Sequence, residues 1–205
     1  MLITDIDKYI TKVKGAIHVG GNDGWERDWY NRMGFNKVLW FEPYNDAFLK
    51  LKVNINNYPN QLAVNLGVHD TLKTATLHIA SNKGQSSSIL EWGTHKDFRP
   101  DITFIKDQKI ELVRLDEFIN HEYIKEFNFL NVDVQGVELN VLKSLGELIS
   151  GFNYIYTEVN EAQTYKGCSQ MVDIDKYLST YGFKREVTHM EAQHWGDAFY
   201  IKNGI

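Results

Sequence analysis

The chain has 205 residues, 43% hydrophobic and 24% charged, with a formal net charge of -5. That size suits one domain able to bury a substantial core, and the composition excludes disordered and collagen-like classes. The acidic balance gives no global attraction to nucleic acid or an anionic membrane, and the one cysteine, Cys168, rules out an intramolecular disulfide.

The opening residues, Met1-Leu-Ile-Thr-Asp-Ile-Asp7, are too acidic and too short in apolar run for a signal peptide. No stretch approaches the ~18 apolar residues of a membrane span. A cytoplasmic protein with no nucleic-acid or membrane partner is expected.

Residues 16–20 read as a buried strand entering a glycine-rich turn, Gly20-Gly21-Asn22-Asp23-Gly24. Trp25, Trp29 and Met33 recur at four-residue spacing, an apolar helix stripe that Gly34 ends. Residues 38–41 are all apolar, as in a strand buried on both faces. Phe48, Leu51 and Ile55 mark the next helix, and residues 62–68 the third strand.

The middle differs. Residues 74–80 alternate like an antiparallel strand that residues 109–113 would pair with. Between them lies a polar loop, Ser81-Asn-Lys-Gly-Gln-Ser-Ser-Ser88, then a stretch without period. A connection this long inside one domain is typical of a binding loop or lid, so residues 71–114 are expected to be an insertion over a site. Residues 127–134 form the fourth core strand, followed by a helix with Val137, Val141, Leu142 and Leu145 on one side. Residues 152–159 form the fifth. Ile174, Tyr177, Leu178 and Tyr181 form a last helix face before Gly182, and residues 183–188 and 198–201 close the sheet as an antiparallel pair. The expectation is a single α/β domain over residues 1–205. Its fold is Rossmann-like and doubly wound, with a mainly parallel seven-stranded sheet, an antiparallel closing strand and a mid-chain insertion.

In such sheets ligands sit beyond the carboxyl ends of the strands. There the sequence places His18, Gly20, Gly21, Asn22, Gly24, Glu42, His69, Asp70, Asp133 and Glu158, nearly all polar or glycine. Glu42 lies about twenty residues past the glycines, the distance at which a carboxylate meets a ribose. An adenosine-bearing cofactor follows. The glycine spacing breaks the dinucleotide fingerprint, and acidic Asp23 stands where a diphosphate would lie. A cofactor without phosphates, such as S-adenosyl-L-methionine, fits better. His69 and Asp70 would border the adenine.

Asp133 ends a hydrophobic strand before Gln135-Gly136, where it would serve as helix cap, ligand contact or both. Glu138 suits a helix N-terminus electrostatically as well as a site. Glu158 would face Asp133, and the two carboxylates offer hard oxygen ligands for a divalent cation such as Mg or Mn, or one of them would accept a substrate proton. His194, before the last strand, is a further candidate base or a plain turn residue. Trp92, Phe98, Phe104 and Trp195 would either stack on a sugar ring or pack beneath the insertion. Cys168 has no evident catalytic partner and reads as an inert thiol.

Ile17-His-Val-Gly-Gly-Asn-Asp-Gly24, Trp40-Phe-Glu-Pro43, Val113-Arg-Leu-Asp-Glu-Phe118 with Phe129-Leu-Asn-Val-Asp-Val-Gln-Gly-Val-Glu138, and Trp195-Gly-Asp-Ala198 occur in that order. Together they resemble the FkbM-type S-adenosylmethionine-dependent methyltransferases over roughly residues 15–202. The resemblance implies methyl transfer to a hydroxyl of a sugar, glycan or small metabolite, with Glu42 as the ribose-binding acid. Asp133 is then the first choice for the base, ahead of His194 and Glu158. Many members carry Asp where this chain has His18, and a histidine there would not neutralise the cofactor's ammonium. An NAD-dependent enzyme and a catalytically silent nucleotide-binding interaction module remain as alternatives.

Overall fold

The computed structural model describes residues 3–205; Met1 and Leu2, at the head of the segment read as lacking a leader, lie outside the described residues. A 3-10 helix, Ile3–Tyr9, precedes β1 (Gly15–Val19), α1 (Arg27–Arg32), β2 (Lys37–Phe41), α2 (Asn45–Asn54) and β3 (Gln61–Val64). β4 (Gly67–Val68) precedes the insertion, which contributes β5 (Thr74–Ala80), α3 (His95–Phe98) and β6 (Phe104–Val113). One-turn helices α4 (Leu115–Phe118) and α5 (His121–Ile124) lead to β7 (Phe127–Val132), α6 (Glu138–Lys143) and β8 (Tyr154–Asn160). The chain ends with α7 (Met171–Thr180), β9 (Phe183–Met190) and β10 (Trp195–Lys202).

The main sheet has seven strands in the order β3-β2-β1-β7-β8-β10-β9. The pairs from β3 to β8 are parallel, and β10 runs antiparallel to both β8 and β9. The strand order reverses at β1, where β2 lies on one side and β7 on the other. Crossovers diverge there and leave a crevice at the carboxyl ends.

Side-chain alternation along the strands divides the core in two. Ile17, Val19, Leu39, Phe41, Leu130 and Val132 pack with Val141 and Leu142 of α6 and Ile174 and Leu178 of α7. Ala16, Val38, Trp40 and Phe129 face the opposite layer, with Trp29 and Tyr30 of α1 and Leu51 of α2. Covering both faces is what makes the strand sequences continuously apolar; β1, β7 and β8 are buried throughout.

In the insertion, β5 and β6 pair antiparallel, with Thr74 opposite Glu111 and Thr76 opposite Lys109, and β4 adds to β6 in a three-stranded sheet. The expected strand over residues 62–68 is therefore two strands in different sheets. Asn65 divides them by turning its side-chain amide to the carbonyls of Glu42 and Pro43 at 2.9 and 3.3 Å. The first helix is also shorter than its periodicity suggests. It begins at Arg27, so Trp25 lies outside the buried stripe and is 68% exposed. The indole of Trp92 stacks on Phe104 at 4.0 Å and on His95 at 4.4 Å, so Trp92 and Phe104 pack beneath the insertion. Among the described residues, no helix is long and apolar enough to cross a membrane.

Candidate active site

A cavity of about 450 Å³ opens at the carboxyl ends of the central strands, within the size range of small-ligand sites. Gly20, Gly21, Asn22, Asp23, Glu42, Asp133 and Glu158 line it from the main sheet. The insertion supplies Asn82, Gly84, Gln85, Ser86 and Ser87, then His95, Phe98 and Arg99. The insertion thus covers the site as expected.

The turn after β1 is fixed by its own hydrogen bonds. Gly20 and Gly21 both donate backbone N–H groups to Phe41 O, at 2.9 and 3.1 Å, and Gly24 N donates to Gly21 O at 2.8 Å. Gly20 has φ +89, and a Cβ there would lie 1.7 Å from Asp133 O, so only glycine allows β1 and β7 to approach at this point. Asn22 N donates to Glu42 Oε2 at 2.7 Å, and Tyr44 N donates to Glu42 Oε1 at 2.7 Å. Each carboxylate oxygen keeps further acceptor capacity, so Glu42 can receive a vicinal diol. These four loop amides are already spent on protein acceptors. A pyrophosphate would find those N–H groups engaged and would lie among Asp23, Glu26, Glu42, Asp133 and Glu158, which disfavours a dinucleotide.

Asp133 and Glu158 come together across β7 and β8, where Val132 pairs with Thr157. Gln135 lies between them: its Nε2 donates to Asp133 Oδ1 at 2.6 Å and to Glu158 Oε2 at 2.7 Å. Asp133 opens into the cavity while protein surrounds its other sides. This partial burial raises its pKa to about 6, with help from Asp197 and against hydrogen bonds from Gln135 and Glu158. Glu158 is pushed well above the carboxylate range by burial and by Asp133, Glu138 and Asp197. Burial and mutual repulsion therefore raise the two carboxyls as a pair.

Burial likewise raises Glu42 to about 7, Glu26 to about 8 and Glu138 to about 7. Glu26 lines the cavity, and Glu138 is fully buried with Oε1 accepting from Gly136 N at 2.8 Å. Carboxyls held protonated by burial and mutual repulsion become anionic when a cation arrives, so this cavity favours a positively charged ligand.

Several sequence candidates stand elsewhere. His18 shares its strand face with Ala16, away from the cavity. Its ring stacks on Trp40 at 4.5 Å, its Nδ1 lies 3.1 Å from Tyr30 Oη, and Asn131 Nδ2 is 3.4 Å away. Burial lowers its pKa to about 3, so it is neutral. The expectation that His18 meets the cofactor is corrected to a buried structural role. His69 and Asp70 follow β4 in the insertion sheet, not the main sheet. His69 Nδ1 accepts from Thr71 N and Leu72 N at 3.1 and 3.2 Å, and Asp70 Oδ1 accepts from Asn140 Nδ2 at 2.9 Å. Both hold a turn, and neither lines the cavity. Gly24 turns the chain at φ +73 against Leu51. The His194 side chain is 67% exposed beside Glu161, outside the cavity lining.

Among the described residues, no group of three or more His, Cys, Asp or Glu side chains could hold a metal ion. Asp133 and Glu158, expected to share a cation, each give one oxygen to the Gln135 amide. The Cys168 thiol is buried and pushed up by that burial, consistent with an inert role.

Sequence reasoning missed Glu26, Gln135 and the cavity-lining Trp25. Gln135 carried a signal, lying two residues from Asp133 in a strand-to-helix turn. Glu26 and Trp25 carried none, because helix periodicity claimed that segment for the core.

Solved structures show the fold. The chain covers 72% of a putative tRNA (m1A22) methyltransferase from Streptococcus pneumoniae, in complex with S-adenosyl-L-methionine, at TM-score 0.57 with 98% of this chain and 8% identity. It also matches TrmK of M. capricolum in complex with S-adenosyl-homocysteine, at TM-score 0.55 over 98% of this chain and 67% of that one, with 7% identity. Among curated relatives, the hexuronic acid methyltransferase AglP of Haloferax volcanii is 26% identical over 75% of this chain. The 2-O-methyltransferase NoeI of Sinorhizobium fredii is 22% identical over 74%. The aligned segments span 57% and 65% of those two proteins. The model of the methyltransferase FkbM domain matches residues 18–185, and the chain belongs to that family.

Proposed function

We propose that the chain is an S-adenosylmethionine-dependent O-methyltransferase, one domain over residues 1–205, acting on a hydroxyl of a sugar or small metabolite. The observation that carries this reading is Glu42. Its buried carboxylate is locked by Asn22 N and Tyr44 N opposite the glycine turn, with acceptor capacity left for a ribose diol. Glu26, Asp133 and the exposed acid Asp23 line the same cavity and suit a ligand with ammonium and sulfonium charge. The sugar acceptor is carried over from the names of the two curated relatives.

When bound, the cofactor supplies an electrophilic methyl group on sulfur. This chain's part is to hold the acceptor hydroxyl in line and to receive its proton, and positioning is the larger share of such catalysis. Asp133, ionised above about pH 6, is the base within the cavity, a role worth roughly 10²–10⁴-fold. Glu158, raised by burial and by Asp133, lines the cavity beside it. Phe98, Trp195 and the exposed Trp25 line the cavity and are aromatic surfaces available to a sugar face.

The test is mass spectrometry of hydroxylated acceptors, uronic acids and neutral sugars among them, incubated with deuteromethyl-labelled cofactor. Transfer of the label by the wild type and its loss in Asp133→Asn, with the fold retained in melting curves, is the expected result. Full turnover by Asp133→Asn would remove Asp133 from the base role.

A further inference from the structure

We propose that Gln135 is a positioning residue: its side-chain amide fixes the orientation of Asp133 and ties that carboxylate, through Tyr165, to the insertion loop over the cavity. This rests on the reading of Asp133 as the base. The geometry is specific. A primary amide has two N–H donors and one carbonyl. Both donors go to carboxylates, Asp133 Oδ1 at 2.6 Å and Glu158 Oε2 at 2.7 Å. The carbonyl oxygen accepts from Tyr165 Oη at 2.8 Å. A flipped amide would turn its oxygen toward two acceptor groups and its N–H groups toward the phenol, so the three partners together select one orientation.

The backbone of Gln135 is held with equal specificity. Its φ of +57 is a left-handed conformation that a non-glycine residue adopts at a cost. Ser88 Oγ donates to Gln135 O at 2.6 Å, and Ser169 N donates to Gly136 O at 2.7 Å. Such strain persists where the surroundings over-determine it, and here the backbone carbonyl and the side-chain amide of Gln135 are both engaged.

Tyr165 provides the link to the insertion. Its hydroxyl lies 3.1 Å from Ser86 O as well as 2.8 Å from Gln135 Oε1, yet it has one proton to give. Ser86 lines the cavity where an acceptor would enter. A shift of the 82–88 loop on acceptor binding therefore changes how strongly the phenol holds the amide, and so how firmly the amide holds Asp133. Around Asp133 the other charged or titratable groups are Glu26 before α1, Glu42 after β2, Glu138 on α6, Glu158 and Tyr156 on β8, and Asp197 on β10. No cation is among the groups that act on Asp133, so neutral hydrogen bonds favour its ionised form, that from Gln135 ahead of that from Glu158.

The test compares Gln135→Met, which keeps length but no hydrogen bond, with Tyr165→Phe, which removes only the phenol proton. Carbon-13 titration of the side-chain carboxyls reads Asp133 without turnover. Gln135→Met is expected to raise the Asp133 midpoint by about one pH unit and to move the acid limb of kcat/KM up with it. At pH 7 kcat is expected to fall roughly tenfold, with S-adenosylhomocysteine affinity unchanged. Tyr165→Phe is expected to shift both in the same direction by less. A folded Gln135→Met variant whose Asp133 midpoint stays at the wild-type value would overturn the proposal. A wild type that titrates as expected but transfers no methyl group would refute the base reading and leave the positioning of Asp133 supported.

Discussion

Replacing Glu42 by Gln changes one oxygen to an amide nitrogen and little in volume, which isolates hydrogen bonding from packing. In the wild type the two carboxylate oxygens accept separately from Asn22 N and Tyr44 N, each at 2.7 Å. A glutamine has one acceptor oxygen, so one of these backbone N–H groups must face an NH2. An unsatisfied buried donor costs about 1–3 kcal/mol, which for a chain of this size lowers Tm by roughly 3–10 °C. The cofactor suffers separately. A carboxylate accepts two charge-assisted bonds from a diol at about 1.5–3 kcal/mol each, and an amide retains about one neutral bond. The net loss is about 2–4 kcal/mol, or roughly 30- to 1000-fold in Kd. The assay is calorimetric titration of S-adenosylhomocysteine at pH 8, above the Glu42 pKa of about 7, with melting curves in parallel. A lowered Tm with Kd within threefold of wild type would make Glu42 a loop anchor and refute its part in binding.

Three further outcomes follow from the same geometry. The cavity carboxyls and the fully buried Glu138 are raised, Asp133 to about 6, Glu42 and Glu138 to about 7 and Glu26 to about 8. An acid raised in the fold binds more protons folded than unfolded, so its contribution is full below the unfolded pKa and is lost as pH rises through the folded one. The ligand-free protein should melt highest near pH 5 and progressively lower up to pH 8; a Tm that climbs over that window contradicts the assignment. His18→Ala should cost about 2–4 kcal/mol of stability, through a cavity beside Trp40 and the loss of a partner for Tyr30 and Asn131. Its S-adenosylhomocysteine affinity should stay within a few-fold by calorimetry, and a selective loss of affinity would return His18 to the site. His194→Asn should leave kcat and its pH profile unchanged, because the ring lies outside the cavity; a tenfold loss would place it back in catalysis.

The fold was legible where burial on both faces writes itself as an apolar run, as at residues 38–41 and 127–132, and where a glycine ends a helix, as at Gly34 and Gly182. The Glu42 position was legible because chain distance from the glycine turn fixes it. What failed depended on direction. His18 lies one residue from the turn, but strand alternation puts it with Ala16 on the α1 face, toward Trp40. Trp25 fits a four-residue stripe with Trp29, yet the glycine turn delays the helix until Arg27. His69 and Asp70 follow an apolar segment whose last residues left the main sheet at Asn65 to pair with β6. The bridging amide of Gln135 requires three elements to meet, and no local pattern announces that.

The central claim is that the acidic cavity beside the Gly20-Gly21 turn holds an adenosyl cofactor without phosphates. Calorimetric titration of the wild-type chain with S-adenosylhomocysteine and, separately, with NADH tests it most directly. One-to-one binding of S-adenosylhomocysteine and none of NADH is expected. Binding of NADH with no heat from S-adenosylhomocysteine would contradict it.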